Sequence, residues 1–166
     1  MSENRPRIKI DLSTLDYLIE IMALLALVIL IGYPAYVFPE LPESIPRHFN
    51  YLGQADAYGA KWTLFMPTVI GSGLYILFIF LNRYPHSLNY LVTITETNAV
   101  VQYRIAKRML RVLKMVLLLS FLYISDIMIK LAQDGTEGLG TFFLPVFLIA
   151  VFSPIVYYVR QSFRNK

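Results

Sequence analysis

The sequence predicts an all-α membrane protein with four transmembrane helices, both termini cytoplasmic, and a short folded extracytoplasmic loop between the first two helices. Three observations predict it. Apolar residues make up 57% of the 166 residues and charged ones only 16%, against about 25% charged in soluble domains. Four runs are long and apolar enough to supply the roughly 20 residues a helix needs to cross about 30 Å of hydrocarbon. The basic residues are divided unequally between the two sets of chain ends and connections. The whole chain, 1–166, reads as one integral membrane domain of the cell inner (cytoplasmic) membrane. It has no cysteine, so disulfides and thiolate metal sites are excluded.

The first span is about Leu18–Phe38, "LIEIMALLALVILIGYPAYVF". It exceeds a signal-peptide core, and no small-x-small cleavage site follows, so it is expected to stay as a helix. Glu20 lies near its inner end, within reach of the interface. The second span is about Trp62–Leu81. Pro67 is expected to kink it by removing a backbone donor. Gly71, Ser72 and Gly73 form a small surface against which another helix can pack closely. Between the second and third spans, "YLVTIT" alternates and should be extended.

The third helix is expected from about Glu96 to Ala132, longer than the membrane. Its apolar part is about Val112–Ala132, and Thr95 ahead of Glu96 is its start signal. Ala99, Tyr103, Ala106, Leu110 and Leu113 recur at helical spacing, with Arg104, Lys107, Arg108 and Arg111 on the other faces. This cytoplasmic extension either hugs the interface or presents those four basic residues to a cytosolic protein. The fourth span is about Thr141–Val159, and Pro145 and Pro154 should bend it.

Orientation rests on the 15 Lys and Arg residues. Twelve fall at the termini and in the second connection. Only Arg47, Lys61 and Lys130 fall on the opposite side, which is therefore extracytoplasmic. The basic residues read as topology signals and anionic-lipid contacts. No recognition helix is evident, so nucleic acid is not an expected partner; the bilayer is.

The first connection, "LPESIPRHFNYLGQADAYGAKW", spans Leu41 to Trp62. Pro42 and Pro46 stiffen its entry. In an extended segment Ile45, Arg47 and Phe49 point one way, and Pro46, His48 and Asn50 the other. Gly53 supplies a turn, and a returning strand brings Asp56 toward His48 and Asn50. A short hairpin results. His48, Phe49, Asn50, Gly53, Asp56 and Tyr58 are its candidate residues. Two roles are open: a hydrogen-bonded cap on the bundle, or a site for an extracytoplasmic peptide or small ligand, with His48 as a titrating contact. One His and one Asp fall short of a metal set, and no cofactor is expected. No nucleophile elbow or H-E-x-x-H motif is present, so the chain is read as a non-enzyme.

Within the spans, Asp126 stands out, because an acid at membrane depth is costly unless paired. Lys130, four residues on, is its expected partner. The alternative sets Asp126 toward the bundle centre, on the path of a small transporter or channel. Four helices line only a narrow pore, so that reading calls for an oligomer.

Two motifs carry a resemblance. "LPESIPRHFN", then Gly53, Asp56 and "YGAKW", resembles the pattern of the bacterial membrane-domain family DUF1648, found at the N-terminus of SdpI-type immunity proteins. The matching positions are Leu41, Pro42, Ile45, Pro46, His48, Phe49, Asn50, Gly53 and Asp56. "ITETNAVVQYR" is similar to an I-T-x-x-N-A-x-x-Q-Y-R segment of short stand-alone members. The resemblance implies a sensing, immunity or accessory module. SdpI-type proteins protect against a secreted peptide toxin and relay its presence to a cytoplasmic repressor. They also carry a further membrane domain beyond the four helices seen in this sequence.

Overall fold

The computed structural model describes residues 5–135 and 138–166. Four helices dominate it: α1 (Thr14–Val37), α2 (Met66–Arg83), α3 (Ala99–Asp134) and α4 (Phe143–Arg164). Each is long and apolar enough to cross a membrane. Between α1 and α2 lies an antiparallel hairpin of β1 (Ser44–Phe49) and β2 (Ala55–Ala60). The fold is therefore mostly helical rather than wholly so.

α1 starts four residues before the first apolar run expected from the sequence, because Ser13 and Asp16 form a capping box. The Ser13 side chain accepts from the Asp16 N–H, and the Asp16 carboxylate accepts from Ser13 N at 2.9 Å. Two orphan donors of the first turn are thereby satisfied. The buried residues Ile19, Ala23, Ala26, Leu30 and Val37 then follow at alternating steps of three, four and seven, one continuous helical stripe.

α3 has 36 residues, about 54 Å at 1.5 Å per residue. It is the hub: α1, α2 and α4 all pack on it. Ala23, Ala26 and Leu30 of α1 meet Leu118 of α3 in the middle of the bundle. The small alanines let the two backbones approach, which is how apolar helices associate where lipid is as apolar as the interface. α4 packs against α3 through rings: Tyr123 and Phe143 stack at 5.4 Å, while no residue of α4 is buried.

Several expectations are corrected. Pro67 does not kink α2. It lies in that helix's first turn, where a missing N–H costs no hydrogen bond, and residues Lys61–Phe65 ahead of it form a short 3-10 turn. The close approach at α2 belongs to Gly71 alone. A Cβ there would sit 2.8 Å from Leu30 Cδ2, whereas one on Gly73 meets nothing within 4 Å. "YLVTIT" forms no strand; Tyr90, Val92 and Ile94 instead close an apolar cluster with Ile10, Ala99 and Tyr103. α3 begins at Ala99, after a turn in which Thr95 and Asn98 cap each other: Thr95 N donates to Asn98 Oδ1 at 2.9 Å, and Asn98 N to Thr95 Oγ1 at 3.3 Å.

Candidate functional site

The hairpin is built so that one side is core and the other is open. Ile45 is fully buried, and Leu41 is nearly so. Both pack with Val37, Leu64, Met128 and Ile129, and Phe49 leans on the same cluster. Burying a side chain of this size is worth about 1.5–3 kcal/mol, so this anchors the hairpin across the ends of α1 and α3. The sequence expectation of simple alternation fails here. Pro46 pairs with Tyr58, His48 with Ala57, and Phe49 with Ala55. Arg47 on one strand and Asp56 on the other are thus extra residues, two compensating bulges. As a result Ile45 and Pro46 are both buried, while Arg47 and His48 are both exposed.

The bulges set His48 beside Asp56. Nδ1 of His48 lies 2.5 Å from Oδ1 of Asp56. The two side chains remain 68% and 42% exposed, so the pair faces water and the hairpin does not bury it. An exposed ion pair adds at most about 1 kcal/mol. Folding therefore gains little from these two residues, and both present polar atoms outward.

Asn50 is not part of that pair. Its Oδ1 accepts from Leu52 N at 2.9 Å and from Gln54 N at 3.1 Å, an Asx-type turn that shapes the hairpin tip. Gly53 completes the tip with φ +77°, a conformation glycine adopts without a Cβ penalty. Its carbonyl accepts from Leu139 N at 2.7 Å. A Cβ on Gly53 would lie 2.5 Å from the carbonyl oxygen of Gly140, so glycine is also needed for docking onto the α3–α4 connection. Tyr58 is 55% exposed on the outer strand. Asn50, Gly53 and Phe49 hold the hairpin; His48, Asp56, Tyr58 and Arg47 are what it displays.

At the opposite end, near the termini, lies a second polar cluster that the sequence reading divided wrongly. Arg108 Nε donates to Asp16 Oδ1 at 3.0 Å, and Arg111 Nη1 reaches the same oxygen at 3.4 Å. Arg111 Nε donates to Glu20 Oε1 at 3.1 Å, and Lys114 Nζ to Glu20 Oε2 at 2.5 Å. Lys114 also lies 4.6 Å from the Tyr75 ring centroid. Arg108 and Arg111 were expected either along the membrane interface or on an open surface for a partner. Arg111 is instead 5% exposed, and both guanidinium groups bind α3 to α1. Arg104 stays exposed and Lys107 half-buried. The spacing signal was available: Asp16 and Glu20 are i, i+4 on α1, while Arg108, Arg111 and Lys114 follow at steps of three on α3.

The second motif is equally structural. Gln102 is fully buried, and its Nε2 donates to the carbonyls of Ser162 and Asn165, each at 2.9 Å. Ser162 Oγ returns a bond to Gln102 Oε1 at 2.6 Å. Gln102 thus closes the C-terminal turn of α4, whose last carbonyls have no intrahelical partner. Asp126 pairs with Lys130 Nζ at 2.7 Å, with the side chains 29% and 50% exposed. The pair faces outward, away from the bundle centre. Among the described residues, no group of three or more His, Asp or Glu side chains converges.

Four spanning helices joined by a docked hairpin define a multi-pass membrane protein. Residues 25–71 match the family model of DUF1648, a domain of unknown function. That segment runs from mid-α1 through the hairpin to Gly71, and over it the chain is similar to DUF1648 domains. An uncharacterised protein of Archaeoglobus fulgidus is 31% identical over 74 residues, 40% of this chain. The chain spans about 40% of the length of that relative. No solved structure matches.

Proposed function

We propose that the protein is a non-enzymatic sensing, immunity or accessory module, with the hairpin as its extracytoplasmic receptive surface and both termini in the cytoplasm. The observation that carries this reading is the exposed His48–Asp56 pair, at 68% and 42%. Two bulges are spent on bringing these side chains together at a place where they stabilise little. An acceptor and donor pair on the outside of the hairpin offers hydrogen bonds to a peptide or small polar ligand. Residues outside the described hydrogen-bond network of the tip are free to change partners without unfolding it. The cytoplasmic output falls to exposed Arg104 and half-buried Lys107, rather than to Arg108 and Arg111.

The membrane in question is taken as the cytoplasmic one, from the distribution of basic residues. The alternative, a transporter or channel subunit, has less behind it, because Asp126 already has Lys130 as partner on an outward face. The test uses cells that depend on this protein when exposed to the secreted peptide fraction of their own culture. His48→Ala and Asp56→Ala should abolish that protection at unchanged membrane abundance. Full protection by both variants would contradict the reading, and loss of abundance in both would assign the pair to holding the cap.

A further inference from the structure

Beneath the hairpin a groove of about 470 Å³ runs along the bundle, within the range of small-molecule sites. Met66 and Ile70 of α2 form one wall, and Ile124 and Met128 of α3 the other. α4 contributes no lining residue, which leaves the groove open sideways toward hydrocarbon. It adjoins the first turns of α2 and the second half of α3.

At the rim stand Arg47, Trp62 and His48, the last shared with the exposed His48–Asp56 pair. Trp62 is 61% exposed, placed as interfacial tryptophans are. Arg47 is exposed. Among the described residues it makes no ion pair. The acids near it are engaged: Asp56 with His48, and Glu43 with Lys61 at 3.0 Å. Its stem passes over Gly59, where a Cβ would lie 2.7 Å from Arg47 Cδ. Gly59 thus gives the side chain a seat, with Nε and Nη1 at 3.4 and 3.6 Å from the same Cβ position, and Arg47 lines the groove from there. A planar cation beside an apolar slot complements a phosphate attached to an acyl chain.

We infer that this groove holds one phospholipid from the leaflet at the hairpin end, its phosphate on Arg47 and an acyl chain between α2 and α3. The inference goes beyond the proposed sensing role and does not depend on it.

Native mass spectrometry of the full chain in detergent tests it with three probes: phosphatidylglycerol, diacylglycerol with the same chains, and glycerol phosphate. One phosphatidylglycerol per chain should be retained, about tenfold more than diacylglycerol, with no retention of glycerol phosphate. Arg47→Gln should lower phosphatidylglycerol to the diacylglycerol level, and Ile70→Trp should lower both. Equal retention of the two lipids by the unaltered chain would overturn the assignment, whatever the variants do. Unchanged phosphatidylglycerol retention in a folded Arg47→Gln variant would also overturn it. Displacement of the lipid by a neutral leucine–alanine helical peptide, equally in Arg47→Gln, would assign the groove to a peptide instead.

Discussion

The hydroxyl of Thr68 on α2 donates to the carbonyl of Leu30 on α1 at 2.8 Å. That carbonyl lacks an intrahelical donor because Pro34, four residues on, has no N–H. In hydrocarbon no water can take its place. One helix thus satisfies a backbone group that a proline frees in its neighbour, a few ångströms from the Gly71–Leu30 contact that lets the helices approach. Thr68→Val should lower stability by about 0.6–1.7 kcal/mol, the range for interhelical hydrogen bonds in bilayers. In Pro34→Ala, where Leu30 regains a donor, the same substitution should cost clearly less. Reversible unfolding in bicelles, read as a double-mutant cycle, checks this.

Gly71 and Gly73 should separate cleanly. Gly71→Leu forces a branched side chain into the Leu30, Leu118 and Phe121 contact and should cost about 1–3 kcal/mol as overpacking. Gly73→Ala meets open space and should be neutral or stabilising by about 0.5–1 kcal/mol, the helix preference for alanine. The same unfolding measurement ranks the two.

The polar cluster of Asp16, Glu20, Arg108, Arg111 and Lys114 predicts an asymmetry. Glu20→Gln leaves Lys114, 1% exposed, without its acid and should cost about 3 kcal/mol or more. Adding Lys114→Met should recover most of that loss. Asp126→Asn, on an outward-facing pair, should leave stability unchanged within error.

Gln102→Leu removes both donors from the last carbonyls of α4. The C-terminal turn should fray, and trypsin should cut at Arg160 or Arg164 several-fold faster in vesicles exposing that end. Equal cleavage rates would show that α4 is held by its ring contacts with α3 alone.

The four helices were legible because length and hydropathy are local properties. Every span was found, and the boundaries moved by only a few residues, as where the Ser13–Asp16 capping box overrides hydropathy at the start of α1. Polar partnerships were less legible. Asp126–Lys130 is a one-turn pair within one helix, so spacing alone names it. Glu20 with Lys114, and Gln102 with the end of α4, join residues far apart in sequence; the regular spacing of the acids on α1 and of the bases on α3 marks two charged faces but does not say that they meet. Arg108 and Arg111 looked like a solvated face because the acids that bury them lie on α1. In the hairpin, His48 and Asp56 could be named, but their exposure depends on bulges at Arg47 and Asp56 that break a period of two.

In the proposed topology the hairpin bearing His48 and Asp56 faces the exterior, and the end bearing Arg108, Arg111 and Lys114 faces the cytoplasm. A chain without cysteine allows this to be measured one site at a time. Tyr51→Cys lies on the hairpin tip, at a side chain 75% exposed, and Arg164→Cys lies at the end of α4. In intact cells, a membrane-impermeant maleimide should label Tyr51→Cys and leave Arg164→Cys untouched until the membrane is permeabilised. Labelling of Arg164→Cys in intact cells, with Tyr51→Cys protected, would invert the topology and contradict the account.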